Sequence, residues 1–266
     1  MRVHESDDEL GRLGQSFNRM TARLEAADAR QREFLADVAH ELRTPVTAIE
    51  GFAMALGDGT ASTPEERAES AEFIRSEAAR LRELVNDFQE LTWLDLEPEV
   101  RAEPIDLAAT ARECVARLNL DAHVKGVELI GPEGSLPAVA DRDHVHTILG
   151  NLVTNAVRAT PAGGSVRLLT RTAPGESGVA VCDTGKGIAP EHLPYIFDRL
   201  YRAESARDRE AGGSGLGLAI VQRLAALLGG RVTAESDVGA GSTFTLWLPA
   251  RAVAPPSRAR VGSGPA

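Results

Sequence analysis

The N-terminal third of the chain repeats its apolar positions with a helical period. Leu10, Leu13, Phe17, Met20 and Leu24 step by three and four, the spacing of a coiled-coil seam. Leu35, Val38, Leu42, Ile49 and Leu56 continue a helical stripe in a different phase. The first frame, run onward, puts Val38 at heptad position a, whereas Leu35 and Leu42 at a put Val38 at d, the shift that a four-residue stutter produces. Gly57 to Pro64 is a cluster of helix breakers, with Thr63 placed to cap a new helix that opens on Pro64. In that helix Ile74, Leu81 and Phe88 recur every seven residues, with Leu84 and Leu91 between them. The pattern predicts an antiparallel helical hairpin. One hairpin offers too little surface to bury its own seam, so a homodimer forming a four-helix bundle is expected.

Beyond Leu94-Asp95-Leu96-Glu97-Pro98 the pattern becomes mixed. Helices are predicted over residues 105–120, 144–159 and 216–228, the last stopped by Gly229-Gly230. Strands are predicted over 127–130, 166–172, 178–182, 231–234 and 243–248, the second and third paired around Pro174-Gly175-Glu176. This is an α+β arrangement, with one sheet carrying helices on one face. The residues from Ala250 to Ala266, rich in Pro, Arg, Gly and Ser, are expected to be disordered. The expected boundaries are 1–26, 27–96, 97–249 and 250–266.

Composition narrows the choice of partners. A formal net charge of −10 excludes general affinity for nucleic acid and provides no polybasic membrane anchor. The two cysteines, Cys114 and Cys182, form neither a zinc nor a CxxC pattern. No stretch has the roughly 18 apolar residues that a membrane span needs, so the chain as given is expected to be soluble.

The chemistry lies in a few polar residues set at helical or turn spacing. With Leu35 and Leu42 at a, His40 falls at f and faces water, where a partly neutral imidazole is a competent nucleophile. Glu41 can hold or deprotonate the other ring nitrogen, and Thr44 lies one turn later on the same face. Pro45 removes a backbone hydrogen bond at that turn. Asn151 and Asn155, four apart, share a helix face on which two amide oxygens can hold a hard cation, and Arg158 follows on nearly the same face. Asp183-Thr184-Gly185-Lys186-Gly187-Ile188 follows an apolar strand, where a carboxylate can accept from an exocyclic amine while the glycines admit a ligand plane. Gly213-Ser214-Gly215-Leu216-Gly217 runs into a helix N-terminus, an anion site without the spacing of a Rossmann or Walker loop. Between these glycine segments stand Phe197, Arg199 and Arg202, then a charged run from Ala203 to Ala211 that reads as a mobile lid. His144 and His146, two apart on a helix, do not face one way and are not read as a metal pair, and Trp93 and Trp247 are read as packing residues.

The segment His40-Glu41-Leu42-Arg43-Thr44-Pro45 resembles the phosphoacceptor box of the histidine kinases. The later segments resemble, in order, the N, G1, F and G2 boxes of their ATPase domain. Residues from Asp8 to Met20 resemble the second helix of a HAMP signal-relay module, without its first helix. The resemblance implies a dimeric phosphoacceptor hairpin followed by an α/β-sandwich ATP-binding domain. It implies ATP and Mg²⁺ as cofactors, autophosphorylation of His40 and transfer to the aspartate of a response regulator receiver domain. A full-length protein would sit at the cytoplasmic side of the membrane through an N-terminal sensor region. By the same resemblance Asn155 is the Mg²⁺ ligand with Asn151 assisting, Asp183 reads adenine beside Gly185, Gly187 and Ile188, and Arg199 and Arg202 approach the phosphates. Gly213, Gly215, Leu216 and Gly217 line the phosphate side, and Thr44 matches the family's phosphatase motif. Two positions depart from the pattern: Ala159 stands where an aromatic or His is frequent, and Leu200 where Phe is. Two other classes share parts of the pattern. They are a non-catalytic nucleotide-binding scaffold and other ATPases of the superfamily, the latter lacking the His40 box.

Overall fold

A computed structural model describes residues 9–96, 98–202 and 213–250. The expected disorder after Ala250, the lid over 203–211 and the start of the HAMP-like stretch lie outside the described residues. The chain divides into two compact units at Val85 and Asn86, each described by itself below.

The first unit is the predicted hairpin. Helix α1 runs unbroken from Glu9 to Gly57, through both the change of phase and Pro45. Helix α2 spans Pro64–Leu94, so its last turns belong to the second unit. Between them Thr63 and Glu66 make a reciprocal capping box. The Glu66 N–H donates to Thr63 Oγ1 at 3.1 Å, and Glu66 Oε2 accepts from the Thr63 and Ser62 N–H groups at 3.0 and 2.7 Å. Val38 and Leu84 are buried within the hairpin, and Phe52 and Phe73 stack at 4.2 Å. Leu13, Phe17 and Met20, on the seam of the first stripe, stand more than 60% exposed, so the chain alone does not cover the face that the heptads mark out.

In the second unit, β1 (Glu103–Asp106) leads into α3 (Leu107–Val124), followed by β2 (Glu128–Ile130) and β3 (Pro137–Ala140). Next come α4 (Arg142–Ala159), β4 (Ser165–Ala173) and β5 (Glu176–Asp183). The unit ends with α5 (Gly217–Leu227), β6 (Arg231–Asp237) and β7 (Gly241–Pro249). Five strands form a sheet in the order β2-β4-β5-β7-β6, antiparallel except for the β2–β4 pair. The register brings Val166, Leu168, Val179, Val181, Leu246 and Leu248 to one face by the two-residue alternation of strands. All six are fully buried, as are Ile148, Leu149 and Leu152 of α4 and Ile220 and Leu224 of α5. A sheet with one helix-covered apolar face is the predicted sandwich.

Three expectations are corrected. The strands do not form a single sheet, because β1 and β3 pair with each other separately. Both are four residues long and contain proline, too short and too irregular to carry a period of their own. Helix α3 starts at Leu107 rather than at residue 105, because Asp106 caps it. Asp106 Oδ1 accepts from the Ala108 N–H at 3.0 Å and from the Leu136 N–H at 2.9 Å, tying the cap to the approach to β3. Trp93, expected to be packed, is 44% exposed and lies against the His144 ring at 5.7 Å.

Thr63→Ala is expected to lower the stability of the hairpin by about 1 kcal/mol, read from urea melts followed by circular dichroism. The Glu66 carboxylate is held below the usual glutamate range, first by the Thr63 N–H and then by Ser62. Its part of the cap is therefore fully present above the ordinary glutamate pKa and is lost as pH falls through the depressed folded value. In the Glu66→Gln variant that acid-dependent component of the melts should disappear.

Candidate functional site

His40, Glu41 and Thr44 lie on α1, in the first unit. His40 is exposed, while Val38 and Pro45 on either side of it are buried, as the heptad frame requires. Thr44 Oγ1 donates to the His40 carbonyl at 3.4 Å, so its hydroxyl stands on the turn that presents the imidazole. Glu41 lies 3.7 Å from Arg80 of α2, which also approaches Glu77 at 3.6 Å. Sequence reasoning missed Arg80, since only the pairing of the helices brings it opposite Glu41.

All the other predicted site residues lie in the second unit, and four segments carry them. Helix α4 is started by Asp141, whose carboxylate accepts from the Asp143 and His144 N–H groups. Its buried stripe of Val145, Ile148, Leu149, Leu152, Val153 and Ala156 fixes the helix on the sheet and leaves Asn151, Asn155 and Arg158 only partly covered. The C-terminal end of α4 is held by Lys125, whose Nζ donates to the carbonyls of Val157 and Arg158 at 2.8 and 2.6 Å. Burial, and then the nearby Arg158 charge, push the Lys125 ammonium below its usual range.

Asp183 ends β5. Its Oδ1 accepts from the Gly185 N–H at 2.8 Å and from the Ser242 N–H of β7 at 3.2 Å. Burial pushes this carboxyl above the usual aspartate range, against the pull of the two N–H groups. Beyond it the chain is pressed between two neighbours. A Cβ on Gly185 would stand 2.7 Å from the Ala159 carbonyl, and one on Gly187 would stand 2.0 Å from the Asp237 carbonyl. Gly187 also has a φ of 70°, so this turn requires glycine for both space and conformation. The Ile188 N–H donates to Ser236 Oγ at 2.8 Å, which completes the clasp on the turn.

The third segment carries Phe197, which packs edge-on against Phe244, and Leu200, the one non-glycine residue with left-handed backbone among the described residues. The Leu200 N–H donates to the Gly215 carbonyl at 3.0 Å, tying this segment to the fourth. Arg202 reaches the Gly213 carbonyl at 3.5 Å, and Arg199 donates to both oxygens of Asp95, at 3.0 and 3.1 Å. In the fourth segment, Ser214 Oγ accepts from the Leu216 N–H and donates to Asp87 Oδ2. Leu216 is fully buried and anchors the first turn of α5.

Helix α4 and the fourth segment meet at Gly217. A Cβ there would lie 2.8 Å from Asn151 Oδ1 and 3.9 Å from Asn155 Nδ2, so the two asparagines face the first turn of α5. One on Gly213 would meet an Arg158 guanidinium nitrogen at 3.0 Å. Two amides, an arginine and a helix N-terminus thus converge, a combination suited to polyphosphate with a hard cation. A cleft of about 430 Å³ opens beside them, lined by Lys125, Arg158, Ala159, Gly185 and Lys186 among others. His144 and His146 turn to different neighbours, Asp141 and Glu113, and no group of three His, Cys, Asp or Glu able to hold a metal occurs among the described residues. Sequence reasoning missed Ser242 and Lys125. A Gly-Ala-Gly-Ser turn before an apolar strand was the signal for Ser242, whereas nothing local marks Lys125.

Comparison with known proteins gives the same picture. The HAMP domain model matches residues 1–26 and the His Kinase A (phospho-acceptor) domain model residues 30–97. The model for histidine kinase-, DNA gyrase B- and HSP90-like ATPases matches residues 140–252. Sensor histidine kinase YkoH of Bacillus subtilis is 34% identical over 91% of this chain and 53% of its own length. The histidine-protein kinase BaeS of Escherichia coli is 32% identical over 92% of this chain and 52% of its own length. The chain thus spans about half the length of these relatives. Among solved structures, full-length ShkA in complex with AMPPNP aligns with a TM-score of 0.60 at 34% identity, over 84% of this chain and 47% of that one. The histidine kinase ThkA, in its complex with the response regulator protein TrrA, shares the fold with a TM-score of 0.68 at 23% identity, over 92% of this chain and 68% of that one. With the His Kinase A and ATPase models matched in order along one chain, the protein carries the phospho-acceptor and ATPase domains that characterise the sensor histidine kinases it resembles.

Proposed function

We propose that this chain is the kinase core of a two-component sensor: it moves the γ-phosphoryl group of ATP onto His40 and then onto an aspartate of a response regulator receiver domain. Residues 27–96 serve as the dimerisation and phosphoacceptor hairpin, 97–249 as the catalytic unit, and 1–26 as a HAMP-like relay. The uncovered Leu13, Phe17 and Met20 support a homodimer. The observation that carries the nucleotide reading is the seating of Gly217 against Asn151 and Asn155, with no room there for a side chain.

In this reading the adenine amine donates to Asp183, whose Oδ1 is already held by two backbone N–H groups, leaving Oδ2 to accept. The flat space beside Gly185 and Gly187 takes the ring. Arg158, Arg199 and Arg202 face the phosphates together with the N–H groups at the start of α5. The residues fit Mg²⁺: Asn151 Nδ2 donates to the Thr147 carbonyl at 3.1 Å, which turns Oδ1 toward Gly217, and Asn155 lies one turn on. When bound there, the cation would neutralise charge on the β- and γ-phosphate oxygens. At His40 a neutral ring nitrogen attacks the γ-phosphorus, the bond to the β–γ bridging oxygen breaks, and ADP leaves. Glu41, steered by Arg80, holds the proton of the other ring nitrogen. In the opposing phosphatase activity, Thr44 orients a water in line with the regulator's aspartyl phosphate, whose bond to the carboxylate oxygen breaks to release inorganic phosphate. No helix among the described residues is long and apolar enough to cross a membrane.

His40→Gln should still bind MgATP, as measured by calorimetry, yet accumulate no acid-labile label from γ-labelled ATP. Label persisting on that variant would refute the acceptor assignment. Asn155→Ala and Gly217→Ala should each weaken MgATP binding at least tenfold while light scattering still reports a dimer. Unchanged affinity in both would remove the site. The two activities should separate on α1. Thr44→Ala should keep most of the autokinase rate and lose most phosphatase activity, measured as decay of purified phospho-regulator, whereas Glu41→Ala should lose autokinase first. Equal losses in both assays for Thr44→Ala would give the hydroxyl only its bond to the His40 carbonyl.

A further inference from the structure

The last turns of α2 present carboxylates to the same side chains that the triphosphate needs. Arg199 donates to both oxygens of Asp95, and Ser214 donates to Asp87 while accepting from the Leu216 N–H at the start of α5. These residues are all in the second unit, whose α2 segment is anchored by the fully buried Leu91 and Leu94. Glu90, half-buried between the two aspartates in sequence, adds a third carboxyl. Burial first, and then the Asp87 charge, raise it above the usual glutamate range, a sign of crowded negative charge at this end of the helix. A carboxylate and a phosphate oxygen are chemically interchangeable acceptors for a guanidinium or a hydroxyl.

We propose that Asp87 and Asp95 set the affinity of the nucleotide site for the triphosphate, by holding Ser214 and Arg199 in place of phosphate oxygens. This rests on reading Arg199 and the segment from Gly213 to Gly217 as the phosphate side of the site. Binding of ATP then exchanges carboxylate contacts for phosphate contacts instead of adding new ones. The Asp95 pair is partly exposed, with side chains 37% and 47% accessible, so its exchange is easy. The Asp87 contact is different in kind, because Ser214 is buried and its hydroxyl also engages the Leu216 N–H. Exchange there redirects only the hydroxyl proton, while the Ser214 oxygen goes on accepting from the Leu216 N–H at the start of α5. The sensitivity is expected on the phosphates, since Ser214 and Arg199 stand on the phosphate side in this reading and the turn from Asp183 to Ile188 on the adenine side.

The test uses the full chain and four proteins: wild type, Asp87→Asn, Asp95→Asn and, as a control, the exposed Glu99→Gln, which removes one charge from the adjoining segment. Titration with MgAMPPNP by calorimetry should show affinity rising about three- to tenfold in each aspartate variant. Adenosine binding, followed by ligand NMR line broadening, should be unchanged in all four. Asparagine keeps the shape and the acceptor oxygen, so the fold should be retained, as circular dichroism will check. Unchanged MgAMPPNP affinity in both aspartate variants, an equal gain for adenosine, or the same gain in Glu99→Gln would overturn the proposal while leaving the site intact. If wild type itself fails to bind MgAMPPNP, the phosphate-side reading falls and this inference falls with it.

Discussion

The buried carboxylate of Asp183 is the constraint around which the catalytic unit is arranged. A charged group taken out of water must find donors, and Asp183 finds two in the backbone, at Gly185 and Ser242. Those two donors belong to the turn after β5 and to β7, so one side chain ties the central strand to its neighbour at the end where the site lies. The space this tie leaves is very small. A Cβ on Gly241 would sit 2.0 Å from the Asp183 carbonyl, and Gly187 is equally confined by the Asp237 carbonyl. Close backbone packing by itself therefore requires glycine at these positions. Burial raises the carboxyl above its usual range, against the pull of the two N–H groups.

Around this fixed point, the rest of the site follows from how α4 and α5 lie on the sheet. Their apolar stripes bury Ile148, Leu149, Leu152, Ile220 and Leu224 completely, each burial contributing about 1.5–3 kcal/mol. The helices are thereby locked in rotation, which brings Asn151 and Asn155 to Gly217. Phosphate chemistry of this kind depends on position and charge more than on reactive side chains. Rigid helices with glycine at the point of closest approach suit that requirement. The segment between the two glycine turns is held differently, by Leu200 with a φ of 61° and its bond to Gly215, a conformation that costs on the order of 1 kcal/mol or more.

The hairpin works by the opposite logic. Its reactive groups stand on the face that packing leaves alone, and its cap at Thr63 and Glu66 fixes the turn without help from the core. A stutter is absorbed by a local change of winding, and α1 runs on through it over 49 residues.

Much of this was legible in the sequence, because periodicity and turn chemistry are local. The stripe of Leu35, Val38 and Leu42 placed His40 outward, Thr63-Pro64 marked the cap, and the apolar runs located β4, β5 and β7 to within a few residues. The Asn pair, the Asp183 turn and the glycines before α5 could each be named, since each needs a residue type at a short spacing. Other features depended on the tertiary structure. The β1–β3 pair joins segments distant in sequence, and Asp106 binds the Leu136 N–H thirty residues away. Lys125 closes the end of α4 across more than thirty residues, and Arg80 meets Glu41 only when the two helices pair. Asp87 and Asp95 carry no motif at all and would pass for a solvated helix face. What joins them to Ser214 and Arg199 is a set of hydrogen bonds between segments far apart in sequence, which no local pattern encodes.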